Sequence, residues 1–196
     1  VYAYDALGRT VSVQLPSTDG TNPAGTTTYV YEGNTVKTTD PAGKWKKFTM
    51  DAMGNLTQVN EPNPAGGADL VTTYTYNVVE KLKQVQMTRG STTQTRTFNY
   101  DTDGRLTSMT QPETGTTTFT YNTDYTVATK VDAKNQKLAF TYDSYKRVTE
   151  IAKHPVSSGA EDLCQHVSFR YDSNPYDGSA WQNLQGRLAA VRWGGT

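Results

Sequence analysis

Apolar positions along this chain recur in a fixed local pattern rather than in one period. A pair two residues apart is followed by a polar turn, then by a second pair three residues apart. Residues 98 to 109 show it in full: Phe98 and Tyr100, the turn Asp101-Thr-Asp-Gly104, then Arg105, Leu106 and Met109. Side chains two apart share one face of an extended strand, so Phe98 and Tyr100 point the same way. Asp opens a turn well because its carboxylate accepts a main-chain N–H two residues on. Gly three residues later supplies the positive φ that closes a type I turn. The stretch predicts one complete β-hairpin.

The same pattern is written about eight times. Full copies begin at Tyr2-Ala-Tyr4-Asp5, Phe48-Thr-Met50-Asp51 and Phe140-Thr-Tyr142-Asp143. Weaker ones begin at Tyr29-Val-Tyr31-Glu32, Tyr74-Thr-Tyr76-Asn77 and Phe119-Thr-Tyr121-Asn122. Phe169-Arg-Tyr171-Asp172 reaches its Gly186-Arg187-Leu188 only after an insertion at 173–185. The copies follow one another at about 19 to 29 residues, a spacing typical of repeat architectures. Asn77 and Asn122 in the Asp position still favour a turn. Lys146, where the others have Gly, marks the weakest turn of the series.

The three-residue step in the returning strands is irregular for a strand. Leu56 and Val59, Leu82 and Val85, Leu106 and Met109, Val148 and Ile151, and Leu188 and Val191 all show it. Either a bulge restores one face or both faces carry apolar positions; recurrence at one place in every copy favours a built-in bulge. Between hairpins lie return connections. Asp40-Pro-Ala-Gly43 and Asp132-Ala-Lys-Asn135 read as a second kind of turn, and residues 16–25, 61–68 and 153–161 as longer loops. Strands are expected at about 27–32, 34–39, 71–76, 82–88, 117–121, 127–131, 137–142, 147–152, 166–171 and 187–193. Turns at such short intervals leave no room for a helix of useful length.

Composition adds to this picture. About one residue in six is Thr and 13 are Tyr, both strand-favouring types. A hydrophobic fraction of 35% suits a sheet with at least one wet face. The 196 residues are nevertheless enough to bury a core. Nineteen basic and 19 acidic residues give zero net charge without a basic run, so nucleic-acid binding and membrane insertion have no footprint. One cysteine, Cys164, excludes an internal disulfide. The chain starts at Val1 inside a repeat strand, so it is expected to be a piece of something longer.

The Tyr-Asp-x-x-Gly-Arg-Leu pattern resembles the YD repeat of RHS proteins, a largely bacterial group of surface, secreted and toxin-delivery proteins with relatives in toxin-complex shells and animal teneurins. The resemblance covers the whole of residues 1–196. It implies an all-β fold, an array of antiparallel β-hairpins forming a curved, spiralling β-sheet that is a segment of an RHS-type shell. It also implies partners: the remainder of the same RHS polypeptide and a C-terminal toxin cargo. A secreted or cell-surface location follows from the same resemblance.

Candidate chemistry is sparse. The recurring Asp5, Asp51, Asp101, Asp143 and Asp172 invite comparison with carboxylate enzymes, which need two acids about 5–10 Å apart across one cleft. The turn role explains an Asp in nearly every copy, so the chain is expected to be no enzyme. Arg9, Arg105, Arg147 and Arg187 follow the turns and are expected to pair with Asp or stack on Tyr. His154 and His166 flank Cys164 too loosely for a metal site and are expected to be solvated; no cofactor or metal is expected. Asp40-Pro-Ala-Gly43 shares letters with the sequence at which some RHS proteins release their toxin, but an ordinary strand follows it. Tyr176, Asp177 and Trp181 in the insertion are the candidate ligand-binding residues, suited to stacking on sugars or plugging a partner. The competing reading has the loop covering a sheet edge with Trp181 inward.

The expected function is thus a non-catalytic shell segment that encloses or presents another part of the protein, such as a toxin. The alternative is a cell-surface adhesion module that binds carbohydrate or protein through its loops. Stacked hairpins would align their Tyr pairs as an aromatic column. Exposed strand edges would permit self-association.

Overall fold

The computed structural model describes residues 1–16, 25–176 and 185–194. The described chain is antiparallel β-structure, with one 3-10 turn at Leu163–Gln165. It divides into two compact units, Val1–Thr97 and Phe98–Thr196. The first contains β1 (Tyr2–Tyr4), β2 (Thr10–Gln14), β3 (Thr26–Glu32), β4 (Thr35–Thr39), β5 (Trp45–Met50), β6 (Leu56–Glu61), β7 (Leu70–Tyr76) and β8 (Leu82–Arg89). The strand β9 (Thr92–Tyr100) runs through the division. The second continues with β10 (Leu106–Gln111), β11 (Gly115–Tyr121), β12 (Val127–Val131), β13 (Lys137–Tyr142), β14 (Val148–His154), β15 (Val167–Tyr171) and β16 (Leu188–Trp193).

Within each unit the strands pair with their sequence neighbours, as a meander. Consecutive strands joined by short turns leave only this local pairing to satisfy the main chain. The hairpins expected from the sequence are present, and their bounds fall close to those expected. The strand leading into Asp101 is longer than Phe98–Tyr100 and starts at Thr92, because Thr92–Thr97 pair with β8.

Among the described residues, neither unit encloses a core. Val59 is the single buried hydrophobic residue among those described, 8% exposed, and Thr72 (7%), Thr117 (6%) and Ser168 (7%) are the buried polar ones. The length would allow a core, but the described strands enclose little more than Val59. Strands that contact only their neighbours supply no second layer to cover either face. Half-burial does the work instead. Phe48, Val59 and Thr72 stand opposite one another across β5, β6 and β7, and this row encloses Val59.

The bulge is confirmed at six YD-side hairpins, while the Glu32 copy, β3–β4, pairs without one. Thr49 faces Gln58 while Met50 faces Leu56, so Thr57 is an extra residue in the returning strand. The same skip occurs at β1–β2, β7–β8, β11–β12, β13–β14 and β15–β16. It keeps Leu56 opposite Met50 and Val59 opposite Phe48 despite their three-residue step. The return hairpins β4–β5 and β12–β13 pair without a skip.

Two turns differ from expectation. Asp40–Gly43 and Asp132–Asn135 are not a second kind of turn. Gly43 N donates to Asp40 O at 2.9 Å and Asn135 N to Asp132 O at 2.9 Å, the bond that closes the Asp101–Gly104 turn at 3.0 Å. Return and YD hairpins thus share one turn and differ in the bulge. Conversely, the Glu32 copy does not use the Asp-type turn. Glu32 pairs directly with Thr35 across a two-residue loop, Gly33-Asn34, since two residues between paired positions suffice for a tight hairpin. The Lys146 turn, weakest by sequence, holds: Lys146 adopts φ 62° and its N–H donates to Asp143 O at 3.0 Å.

Candidate functional site

The repeated chemistry of this chain lies at its turns and at the junctions between hairpins. In each full Asp turn one carboxylate oxygen accepts two main-chain N–H groups. Asp5 takes those of Leu7 and Arg9, both at 2.9 Å; Asp51 those of Met53 and Asn55; Asp101 those of Asp103 and Arg105; Asp143 those of Tyr145 and Arg147. The second oxygen takes the Nε–H of Arg9, Arg105 or Arg147, each at 2.7 Å. Asn77 reproduces the first set with Val79 and Lys81. At Asn122 the role passes to Asp124, whose carboxylate accepts from Thr126 N at 3.1 Å.

These donors set the acidity of the turns. The Arg9 N–H beside Asp5 and the Asn55 N–H beside Asp51 hold both carboxyls below the usual carboxylate value. At Asp101 and Asp143 desolvation pushes upward, and the N–H and guanidinium of Arg105 and Arg147 more than offset it. Asp5, Asp51, Asp101 and Asp143 are thereby committed to their own turns. Asp172 has lost its local turn to the insertion and adopts φ 66°. It accepts a bidentate pair from Arg147 of the preceding hairpin, at 3.2 and 2.6 Å, and the N–H of Gly186. Arg147 is held firmly cationic by Asp172 and then Asp143.

The junctions carry a contact that sequence reasoning missed. Where a returning strand meets the next hairpin, its main-chain ladder starts at the third residue, as in Gln58 with Thr73 and Thr129 with Ala139. The carbonyl of the first residue lies beyond that ladder, and a tyrosine hydroxyl takes it. Tyr31 donates to Thr10 O (2.9 Å), Tyr76 to Leu56 O (2.9 Å), Tyr121 to Leu106 O (2.8 Å), Tyr142 to Val127 O (2.9 Å) and Tyr171 to Val148 O (2.9 Å). Each donor is the tyrosine that precedes a turn-opening residue. The signal was therefore present in the repeat: a Tyr there instead of a Phe calls for a hydroxyl partner.

Three of the four arginines do both things expected of them, while Arg187 forms neither contact with a described residue. Besides its Asp, Arg9 lies 4.3 Å from the ring centroid of Tyr31, Arg105 5.0 Å from Tyr121 and Arg147 4.3 Å from Tyr171. Each reaches the Tyr whose hydroxyl binds the carbonyl just after that arginine. The continuous aromatic column does not form. A returning strand stands between successive YD strands, placing equivalent rings about 10 Å apart. Tyr2 and Tyr4 do stack, with centroids 6.4 Å apart.

The histidines are not simply solvated. His166 Nδ1 meets Glu161 at 2.5 Å and His154 Nδ1 meets the Gly159 carbonyl at 3.0 Å, so both clasp the loop after β14. Cys164 is exposed. Among the described residues no three His, Cys, Asp or Glu side chains gather as a metal site, and no helix is long and apolar enough to cross a membrane. Of the candidate ligand-binding residues, Asp177 and Trp181 lie outside the described residues. Tyr176 is 47% exposed and lies against β15 and β16, with Arg192 5.6 Å from its ring centroid. Two of the hollows among the described residues are open grooves. One of about 560 Å³ is lined by Trp45, Lys46, Glu61, Pro62 and Pro64; another of about 710 Å³ by Tyr145, Arg147, Asp172, Gln185 and Gly186.

Asp-closed hairpins, bulged on the YD side and latched to one another by tyrosine, define a YD-type hairpin repeat protein. The Teneurin YD-shell family matches residues 63–158. No curated protein matches the sequence. Among solved structures, the Photorhabdus luminescens Tc holotoxin pore carrying a TccC3 mutation aligns with 97% of this chain and 10% of its own, at 14% identity and TM-score 0.71. The crystal structure of TcdB2-TccC3-Cdc42 aligns over the same shares at 12% identity and TM-score 0.70. At such identity the likeness is one of fold. The chain spans about a tenth of the length of these structures. The matched residues are flanked on both sides by the same hairpin, which supports an RHS/YD-repeat kinship for the chain.

Proposed function

We propose that this chain is a structural, non-catalytic wall segment of an RHS-type shell that encloses another part of its own polypeptide, such as a toxin. The observation that carries the reading is the tyrosine latch. A sheet without a core gains its rigidity from contacts repeated at each junction, and five junctions here close in one way. A net hydrogen bond is worth about 0.5–1.5 kcal/mol, so repetition, more than any one latch, stiffens the wall. The commitment of the turn carboxylates to their own N–H groups supports a role without catalysis. The Tc holotoxin and teneurin likenesses support a secreted or extracellular location and a toxin partner.

Electron microscopy of the complete natural polypeptide tests the reading. A closed shell with these hairpins in its wall and density inside is the expected result. An open array without an enclosed space, or a chain whose neighbouring segments form no further YD repeats, overturns it.

A further inference from the structure

The last hairpin carries two cations that the repeat does not explain. Arg9, Arg105 and Arg147 each hold a turn carboxylate, and Arg89 reaches Glu61 at 3.8 Å. Arg170 on β15 and Arg192 on β16 form no ion pair with a described carboxylate. Their register brings them together. Ser168 faces Arg192 and Arg170 faces Ala190, so Ser168, Arg170 and Arg192 share the face opposite Phe169 and Tyr171. Diagonal neighbours on one face stand about 7 Å apart, close enough for two guanidinium groups to repel. Glu150, opposite Ser168 on β14, accepts from the Thr141 hydroxyl.

What meets the two cations is a phenol. Tyr176 is turned back over the hairpin by an Asx-type turn, its N–H donating to Asn174 at 3.0 Å. The Arg192 guanidinium lies 5.6 Å from the Tyr176 ring centroid. The Ser168 hydrogen bond, then the Arg170 charge, hold that phenol below its ordinary pKa. Ser168 is buried beneath and Tyr176 stays half-exposed above, so the group of donors is reachable from solvent. Two guanidinium forks and two hydroxyls, with no described carboxylate ion-paired to either arginine, match the acceptor oxygens of an anion better than they match a neutral phenol.

We infer that Ser168, Arg170, Tyr176 and Arg192 form a binding site for a small oxyanion, a phosphate, sulfate or carboxylate group, either free or carried on a saccharide. The arginines supply charge and paired N–H donors, Ser168 forms the floor and Tyr176 adds a hydroxyl from above.

The test follows the arginine Nε–H signals of the isotope-labelled 196-residue chain by NMR, during titration with sodium phosphate at constant ionic strength. Saturable shifts at Arg170 and Arg192, with Arg9 and Arg105 unmoved, are expected. Arg170→Gln and Arg192→Gln each weaken the apparent affinity tenfold or more, and Tyr176→Phe a few-fold, while the amide spectrum reports an intact fold. A linear response shared by all arginines, or saturation unchanged in the Arg170→Gln/Arg192→Gln double variant, overturns the site. A parallel titration with a sulfated disaccharide separates the sources. Binding tenfold tighter than phosphate assigns a saccharide-borne anion, and phosphate binding as tight or tighter assigns the free ion. Saturation by neither probe overturns the inference.

Discussion

Tyr142 donates its hydroxyl to the main-chain carbonyl of Val127 at 2.9 Å, joining two hairpins where their backbone ladder has ended. The phenol is pushed to a higher pKa, by desolvation first and then by the Asp124 charge, so it stays a donor throughout the neutral range. Tyr142→Phe keeps the ring and removes the donor, leaving the Val127 carbonyl half-shielded from water. A loss of about 1 kcal/mol is expected. Urea unfolding checks it: the midpoint falls while the slope stays unchanged, because the surface buried on folding is the same.

The turns offer a paired test of backbone strain. Gly54 sits at φ 89° with open space where a Cβ would go. Gly54→Ala therefore meets only the left-handed backbone penalty, about 1 kcal/mol. Lys146 already bears that penalty at φ 62°, so Lys146→Gly is expected to stabilise the fold. The gain is reduced by loss of the Lys146 Nζ contact with the Asp124 carbonyl at 2.8 Å. Thermal melting of the two variants should shift in opposite directions. A fall in both shows that the Lys146 contact outweighs the strain.

Acid stability follows from the turn carboxylates. Asp5, Asp51, Asp101, Asp124, Asp143 and Asp172 all ionise more readily in the fold than the ordinary value of 3.8. A folded state whose pKa lies below the unfolded one binds fewer protons between the two values. The stabilisation is then fully present above about pH 4 and is lost as pH falls through the folded values. Melting temperatures measured by circular dichroism should be flat with respect to these groups from pH 5 to 7 and fall below pH 4. Asp143→Asn keeps a turn of the kind Asn77 makes and should flatten that acid limb.

Hairpins, turns and even the bulge were legible because each is written in local residue types: Asp at the first turn position, apolar residues three apart after it. Leu56 and Val59 announced a bulge that the register places at Thr57. The Tyr142–Val127 latch was not legible as such. Pairing arithmetic alone does not tell which carbonyl is left without a ladder partner until the register across a return strand is known. The missing core escaped for a related reason. Alternation marks a face as apolar, but Val59 is enclosed only because Phe48 and Thr72 flank it, and no pattern states whether a second layer exists. Asp172 lay further out of reach, since its partner Arg147 is 25 positions away in the preceding hairpin.

Stability in an array without a shared core should be local, and the last latch tests this. Tyr171 donates to Val148 O at 2.9 Å, under the guanidinium of Arg147. Tyr171→Phe removes about 1 kcal/mol at that junction, which corresponds to an approximately fivefold increase in local opening. Amide hydrogen exchange should quicken by that factor in β14 and β15, whose Glu150–Ser168 and Ile151–Val167 pairs lie beside the latch. Amides of β4 to β7, which share no strand with it, should exchange at their original rates. A nearest-neighbour array requires that contrast. Equal acceleration in β5 and β14 instead means that the chain opens as one cooperative body, and the wall then draws its stiffness from more than its junctions.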